Sequence, residues 1–160
     1  MYLLVHSRAK SEDGKYLSSM NPFIIKYENV EYKSIENAFQ AAKIKFSMGN
    51  NEDLIRVFNC IINAEPKESK KFGTATFFKK NNIKLDRKKW NTESVQIMEK
   101  LLQTRYDSDV NFKNIVDKYE TFFHYERSGS RSFWGGFFEK SSGNFVGNNM
   151  YGKLLKKVIN

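Results

Sequence analysis

The sequence predicts an α+β fold: a small sheet with several helices, in one domain over residues 1–160. Three observations predict it. Short β-rich runs stand at residues 2–6, 23–32 and 121–126. Apolar residues recur at helical spacing over 35–48, 52–63 and 92–106. The length of 160 residues suits one domain, and a domain of that size buries roughly two-thirds of its unfolded surface.

The elements follow in order. Residues 2–6 read as a short apolar strand, and Ser11-Glu12-Asp13-Gly14-Lys15 as a polar turn. Residues 23–27 and 30–32 form a hairpin around Glu28-Asn29, although the turn lacks the favoured glycine. Ser34 is placed to cap a helix over 35–48 that stops at Gly49-Asn50. A second helix covers 52–63 through Leu54, Val57, Phe58, Ile61 and Ile62. Pro66 opens a short helix to Phe72. Thr92-Glu93 opens a longer one to Tyr106, and Ser108 caps another through Tyr119. Residues 121–126 read as a strand, 127–143 as a loop, and Asn144 to Val158 as the last helix.

Composition excludes several classes. An aromatic content of 15% is too high for a disordered chain. The single Cys60 excludes an internal disulfide framework and a cysteine-based zinc site. Only His6 and His124 are available as imidazole ligands, so no metal site and no cofactor are expected. No apolar run approaches the ~20 residues of a membrane span, and Met1–His6 lacks the basic start of a signal peptide. The expectation is a soluble, cytoplasmic protein with no membrane partner. The net charge is +9 and is concentrated: residues 67–90 hold nine lysines and arginines against Glu68 and Asp86. That block suits phosphate or nucleic acid, or is simply a solvated face.

On a helical wheel Ile35, Ala38, Phe39, Ala42 and Phe46 share one face, the core stripe. Beside it run Glu36, Gln40 and Lys43 at i, i+4 and i+7, within about 60° of one another. An acid, an amide and an amine thus leave one edge of a buried face, as a binding site requires. An ordinary boundary row would look the same. A second cluster, Tyr125, Glu126, Arg127, Phe133, Trp134 and Gly135, sets aromatic rings beside a carboxylate, which suits a base or ribose. A third, Gly143 to Asn149, opens the expected last helix, where backbone amides can meet phosphate.

The run Tyr32 to Lys43 resembles the signature of the NADAR (YbiA-like) family: hydroxyl residue, x, Glu, His, x, aromatic, Gln, Ala, x, Lys. Further landmarks follow in order. Leu17-Ser18-Ser19 is similar to the family's Leu-Ser-Asn, and Glu68 to Gly73 to its segment ending in Gly-Arg. Arg87 to Trp90 resembles Arg-x-Asp-Trp. Glu126, Trp134-Gly135 and Gly143 to Gly147 resemble its closing Glu, Trp-Gly and Gly-x-Asn-x-x-Gly. The chain departs from the pattern at Ser19 (Asn), Asn37 (His), Thr74 (Arg), Lys89 (Asp) and Arg131 (Asp).

The resemblance implies an N-glycosidase that cleaves a ribose–base bond. Its substrate would be ADP-ribosylated guanine, free or in nucleic acid, or a ribosylamino-pyrimidine of the riboflavin-pathway type. It implies Lys43 as nucleophile, Glu36 as acid–base partner and Glu126 as a second carboxylate. Ser18, Gln40, Trp90, Arg131, Trp134 and Asn144 would contact substrate. Arg127 and Arg131 are expected to supply the cation that lowers the Lys43 pKa. The missing acids leave open a non-catalytic module that grips ADP-ribose or nucleic acid, and a purely structural domain stays open as well.

Overall fold

Four two-stranded sheets carry the β-structure among the described residues, where one small sheet was expected. The computed structural model describes residues 1–128 and 131–158; the loop reading at 129–130 and the last two residues fall outside it. The chain divides into two compact units, Met1–Ser18 with Arg105–Asn160, and Ser19–Thr104.

In the first unit β1 (Tyr2–Val5) pairs in parallel with β6 (Thr121–His124), Tyr2 opposite Thr121 and Val5 opposite His124. The polar stretch after β1 is a one-turn helix rather than a turn: α1 (Glu12–Tyr16) is capped by the Ser11 hydroxyl, which accepts the Gly14 N–H. Helix α6 (Val110–Lys118) is capped by Asp109, not Ser108. The Asp109 carboxylate accepts the Phe112 N–H at 3.1 Å and pairs with Arg105 Nε at 3.1 Å. The fully buried Arg105 guanidinium lies between the rings of Tyr16 and Phe112.

The last helix starts later than expected. Phe137–Phe138 forms β7 and Phe145–Val146 forms β8, an antiparallel pair. Only then does α7 (Met150–Lys157) begin. The cause is packing: Phe145 lies 4.7 Å from Phe123 and 5.2 Å from Phe138, ring to ring. Asn149 then takes a left-handed conformation, φ +55°. Its amide bonds the Phe122 carbonyl and the His124 N–H, so it ties β6 to the helix start.

In the second unit β2 (Ile25–Tyr27) and β3 (Val30–Tyr32) form the expected hairpin. Helix α2 (Ile35–Ala42) is capped by Ser34 and ends six residues early. Lys43–Phe46 tightens into a 3-10 turn, and Ser47–Met48 leaves it as β4. The Ser47 hydroxyl binds the Lys43 carbonyl at 2.8 Å, which satisfies one of the freed helical acceptors. Helix α3 (Asn51–Asn63) and a 3-10 stretch over Pro66–Gly73 follow. Two further elements were not legible: α4 (Ala75–Lys80) and β5 (Lys84–Leu85), which pairs with β4.

Helix α5 (Arg87–Ser108) begins five residues before the expected Thr92, and its last turn belongs to the first unit. Asp86 caps it, accepting the Lys89 N–H on its side chain and the Trp90 N–H on its carbonyl. Trp90 is therefore held on a helix. Ile35, Phe39, Val57, Ile61, Phe78 and Met98 are among the buried side chains of this unit.

Candidate functional site

The site starts from helix α2 in the second unit. Its regular period puts Glu36 and Gln40 one turn apart, and both are buried, at 6% and 3% exposure. Gln40 Nε2 donates to Glu36 Oε1 at 2.6 Å, and the Ser19 hydroxyl donates to Oε2 at 2.6 Å. Both carboxylate oxygens are thus engaged from different parts of the chain. Gln40 Oε1 is buried and has no hydrogen-bond partner among the described residues. It lies against Gly73, where a Cβ would come within 1.8 Å of it. Glycine lets the backbone pass this close without displacing the Gln40 amide.

Lys43 is the first residue of the 3-10 turn, and its side chain is half-buried. Its Nζ donates to the Gly73 carbonyl at 2.9 Å and lies 5.7 Å from the centre of the Trp90 ring. Burial lowers its pKa to about 8. The Glu36 carboxylate opposes that shift, and the cations Lys70 and Arg87 add to it. Those two replace Arg127 and Arg131, which the sequence put in that role. Trp90 is 8% exposed and packs on Phe39 at 5.0 Å and Phe46 at 5.8 Å. Of the core stripe, Ile35, Ala38 and Phe39 are buried, while Ala42 is half-buried and Ala41 is buried instead.

The first unit holds the other residues singled out in the sequence. Glu126 accepts a hydrogen bond from the Ser132 hydroxyl and lies 3.7 Å from His124 Nε2. Ser132 Oγ in turn accepts the Gly135 N–H at 2.9 Å. A Cβ on Gly135 would fall 2.3 Å from the His124 carbonyl oxygen, so this turn requires glycine. Trp134 is half-buried, edge-on to Phe133 at 5.1 Å. Ser18 is buried, whereas Arg131 is exposed. Asn144 is exposed beside β8 and lies six residues before α7, so it does not stand at a helix N-terminus. The expected phosphate site at a helix start beside Asn144 is therefore not formed.

Sequence reasoning missed the parts played by Gly73, Ser132 and His124. The Gly73 carbonyl could not be read from a motif, because it meets Lys43 across 30 residues of chain. Ser19 was visible only as a departure from Asn, yet it bonds Glu36 directly. Among the described residues no group of three or more His, Cys, Asp or Glu could hold a metal ion. No described helix is long and apolar enough to cross a membrane.

A model of the NADAR domain matches residues 6–160. The chain belongs to the NADAR family. The match spans residues of both units. In fold the chain is similar to the Escherichia coli protein YbiA, solved by NMR, with a TM-score of 0.69 and 18% sequence identity. That likeness covers 99% of this chain and 82% of YbiA. No curated protein matches the chain. The NADAR family includes N-glycosidase-like members, and its α+β fold is the one seen here. In this NADAR chain Glu36 and Gln40 lie on α2, and Lys43 opens the 3-10 turn that follows it.

Proposed function

We propose that the chain is an N-glycosidase, with ADP-ribosylated guanine or a ribosylamino-pyrimidine as the substrate class. The observation that carries this reading is the state of Lys43. Its amine is half-buried, oriented by the Gly73 carbonyl, and has a pKa lowered to about 8. A useful fraction is then neutral near physiological pH, as a nitrogen nucleophile requires. The reaction balances as a hydrolysis. The Lys43 lone pair attacks the anomeric carbon, and the C–N bond breaks with its electron pair on the base, which takes a proton. The sugar adduct opens to an imine, water adds, and the ribose leaves as Lys43 regains its amine. Glu36, seven residues away on the same row, is the proposed proton shuttle, and Glu126 the proposed second carboxylate. Trp90 and Trp134 are the proposed stacking surfaces, with Ser18, Gln40, Arg131 and Asn144 as further contacts.

A second reading, a module that binds without turnover, draws on one observation. Both Glu36 oxygens already accept hydrogen bonds, from Ser19 and Gln40. A carboxylate so occupied can serve as an anchor rather than a shuttle. Borohydride separates the two. The protein is mixed with ADP-ribosylated guanine nucleotide, and separately with a ribosylamino-pyrimidine. Released base is followed by chromatography, and the borohydride-reduced protein by mass spectrometry. Glycosidase action yields free base and a ribose adduct on Lys43, and Lys43→Arg yields neither. Binding without released base supports the module. Released base with full turnover in Lys43→Arg excludes the imine and leaves Glu36 or Glu126 acting through water.

A further inference from the structure

Helix α2 has a second face that the proposed chemistry does not use. Ala41 and Ala42 project from the side of the helix away from Glu36, Gln40 and Lys43. They line a cavity of about 440 Å³, within the ~300–1,000 Å³ of small-molecule sites. Aromatic rings wall it: Tyr27, Tyr32, Phe46 and Phe58. Tyr32 and Phe58 stand edge to face, 6.4 Å apart.

The polar groups of this cavity are few and balanced. Glu28 and Glu93 face two lysines, Lys45 and Lys100. Lys45 lies 3.7 Å from Glu28, and Lys100 lies 5.5 Å from the centre of the Tyr27 ring. Such a lining adds no net charge, so it favours a neutral occupant over an ion. One neutral donor borders the cavity. Tyr32 is only 6% exposed, and its hydroxyl makes no hydrogen bond among the described residues. Burial, and then the Glu28 and Tyr27 groups beside it, raise its pKa, so the phenol stays protonated and able to donate. The hydroxyl opens on the cavity, so an acceptor on a bound molecule can take its proton in place of solvent.

The cavity also touches the site. Phe46 is part of its wall and packs on Trp90, which carries Lys43 Nζ over its ring. Phe46 thus touches both the cavity and the ring beside the Lys43 amine.

We propose that this cavity binds a neutral, planar aromatic molecule whose carbonyl or ring acceptor takes the Tyr32 hydroxyl, and that its occupancy is transmitted to Lys43 through Phe46 and Trp90. The occupant is a regulator distinct from the glycosidic substrate, and the assignment stands whether or not the glycosidase reading does.

The test uses coumarin as a neutral planar probe and coumarin-3-carboxylate as its anionic counterpart. The isotope-labelled 160-residue chain is titrated while NMR follows the Lys43 Nζ and the methyls of Ala41, Ala42 and Ile97, which also lines the cavity. Coumarin is expected to shift those methyls saturably, with the carboxylate weaker by about tenfold. Tyr32→Phe keeps the ring and should weaken coumarin by about fivefold, the worth of one neutral hydrogen bond. Ala42→Phe fills the cavity and should abolish the shifts. At saturation the Lys43 titration midpoint should move. Coumarin binding that survives Ala42→Phe, ignores Tyr32→Phe or is matched by the carboxylate overturns the site. An unmoved Lys43 midpoint with the cavity filled overturns the relay. Neither readout depends on turnover, so failure here is distinguishable from failure of the proposed activity.

Discussion

Around Glu36 the polar contacts are made in advance of any ligand, and they set what single substitutions should do. Ser19 and Gln40 hold the carboxylate, and Gly73 presses on Gln40 while its carbonyl holds Lys43. Gly73→Ala must displace the Gln40 amide, because the new Cβ would stand 1.8 Å from Oε1. Gln40 ends in a flexible side chain, so the expected stability loss is only about 1–2 kcal/mol. Any base-release activity should nevertheless fall by about tenfold or more, since displacements of this size misplace reacting groups. Urea melts and base-release assays on one preparation check both parts. Lys43 gives the converse case. Its folded pKa, about 8, lies below the ordinary lysine value of 10.5. Below pH 8 both folded and unfolded states are protonated, and the cost of burying the charge is fully present. Between about 8 and 10.5 the unfolded chain holds more protons, so stability rises with pH. Lys43→Met should therefore be more stable than the parent at pH 7, lose that advantage by about pH 10.5, and release no base. Urea midpoints at the two pH values measure it; a variant less stable at pH 7 would show that the Gly73 hydrogen bond outweighs desolvation. The row Glu36, Gln40, Lys43 was legible because it follows helical period. Gly73 was not, because carbonyl contacts across distant chain leave no mark in composition.

Elements were legible where one local signal sufficed. The Ser34 cap, the hairpin and helix α3 all rest on residues within a few positions of one another. Boundaries failed where a distant partner decided. Helix α2 ends at Ala42 as Ser47 bonds the Lys43 carbonyl and β4 pairs with β5. Residues 144–149 looked helical, but Phe145 has ring partners on β6 and β7 that favour a strand. Asp86 capped α5 although Thr92 carried the stronger-looking signal. The β2–β3 hairpin gives the prediction at this scale. Glu28 and Asn29 both adopt positive φ, +48° and +65°, as a two-residue turn of this type demands. Glycine occupies such a position without steric cost, so Asn29→Gly should raise stability by about 0.5 kcal/mol, the gain offset in part by a freer unfolded chain. Denaturant midpoints would register this, and a loss above 0.5 kcal/mol would mean that Asn29 has a role beyond the turn.

Across the whole molecule charge was the most legible property and strand pairing the least. A net charge of +9 is a count, whereas β1 and β6 pair across more than a hundred residues. No local pattern announces that the two ends of the chain belong to one unit. The basic stretch 67–90 lies wholly in the second unit, and all nine of its lysines and arginines are exposed. They are distributed over the 3-10 stretch, α4, β5 and the start of α5. Glu68 is occupied by Lys71, which leaves little acid to neutralise the rest. Lys70 and Arg87 also act on the Lys43 amine, so part of this charge weighs on the proposed site itself. If the substrate is carried on a strand of nucleic acid, these side chains are the groups that would meet its phosphates. With about four contacts on a single strand, the logarithm of affinity should fall with the logarithm of salt at a slope near −3. That amounts to about fiftyfold between 50 and 200 mM salt. Replacing Lys79 and Lys80 by Gln should flatten the slope by about one unit or more while leaving the Lys43 pKa unchanged, as neither contributes to it. Fluorescence anisotropy with a labelled oligonucleotide across that salt range reads the slope. A flat response would assign the basic stretch to solubility and leave a free nucleotide or ribosylamine as the substrate form.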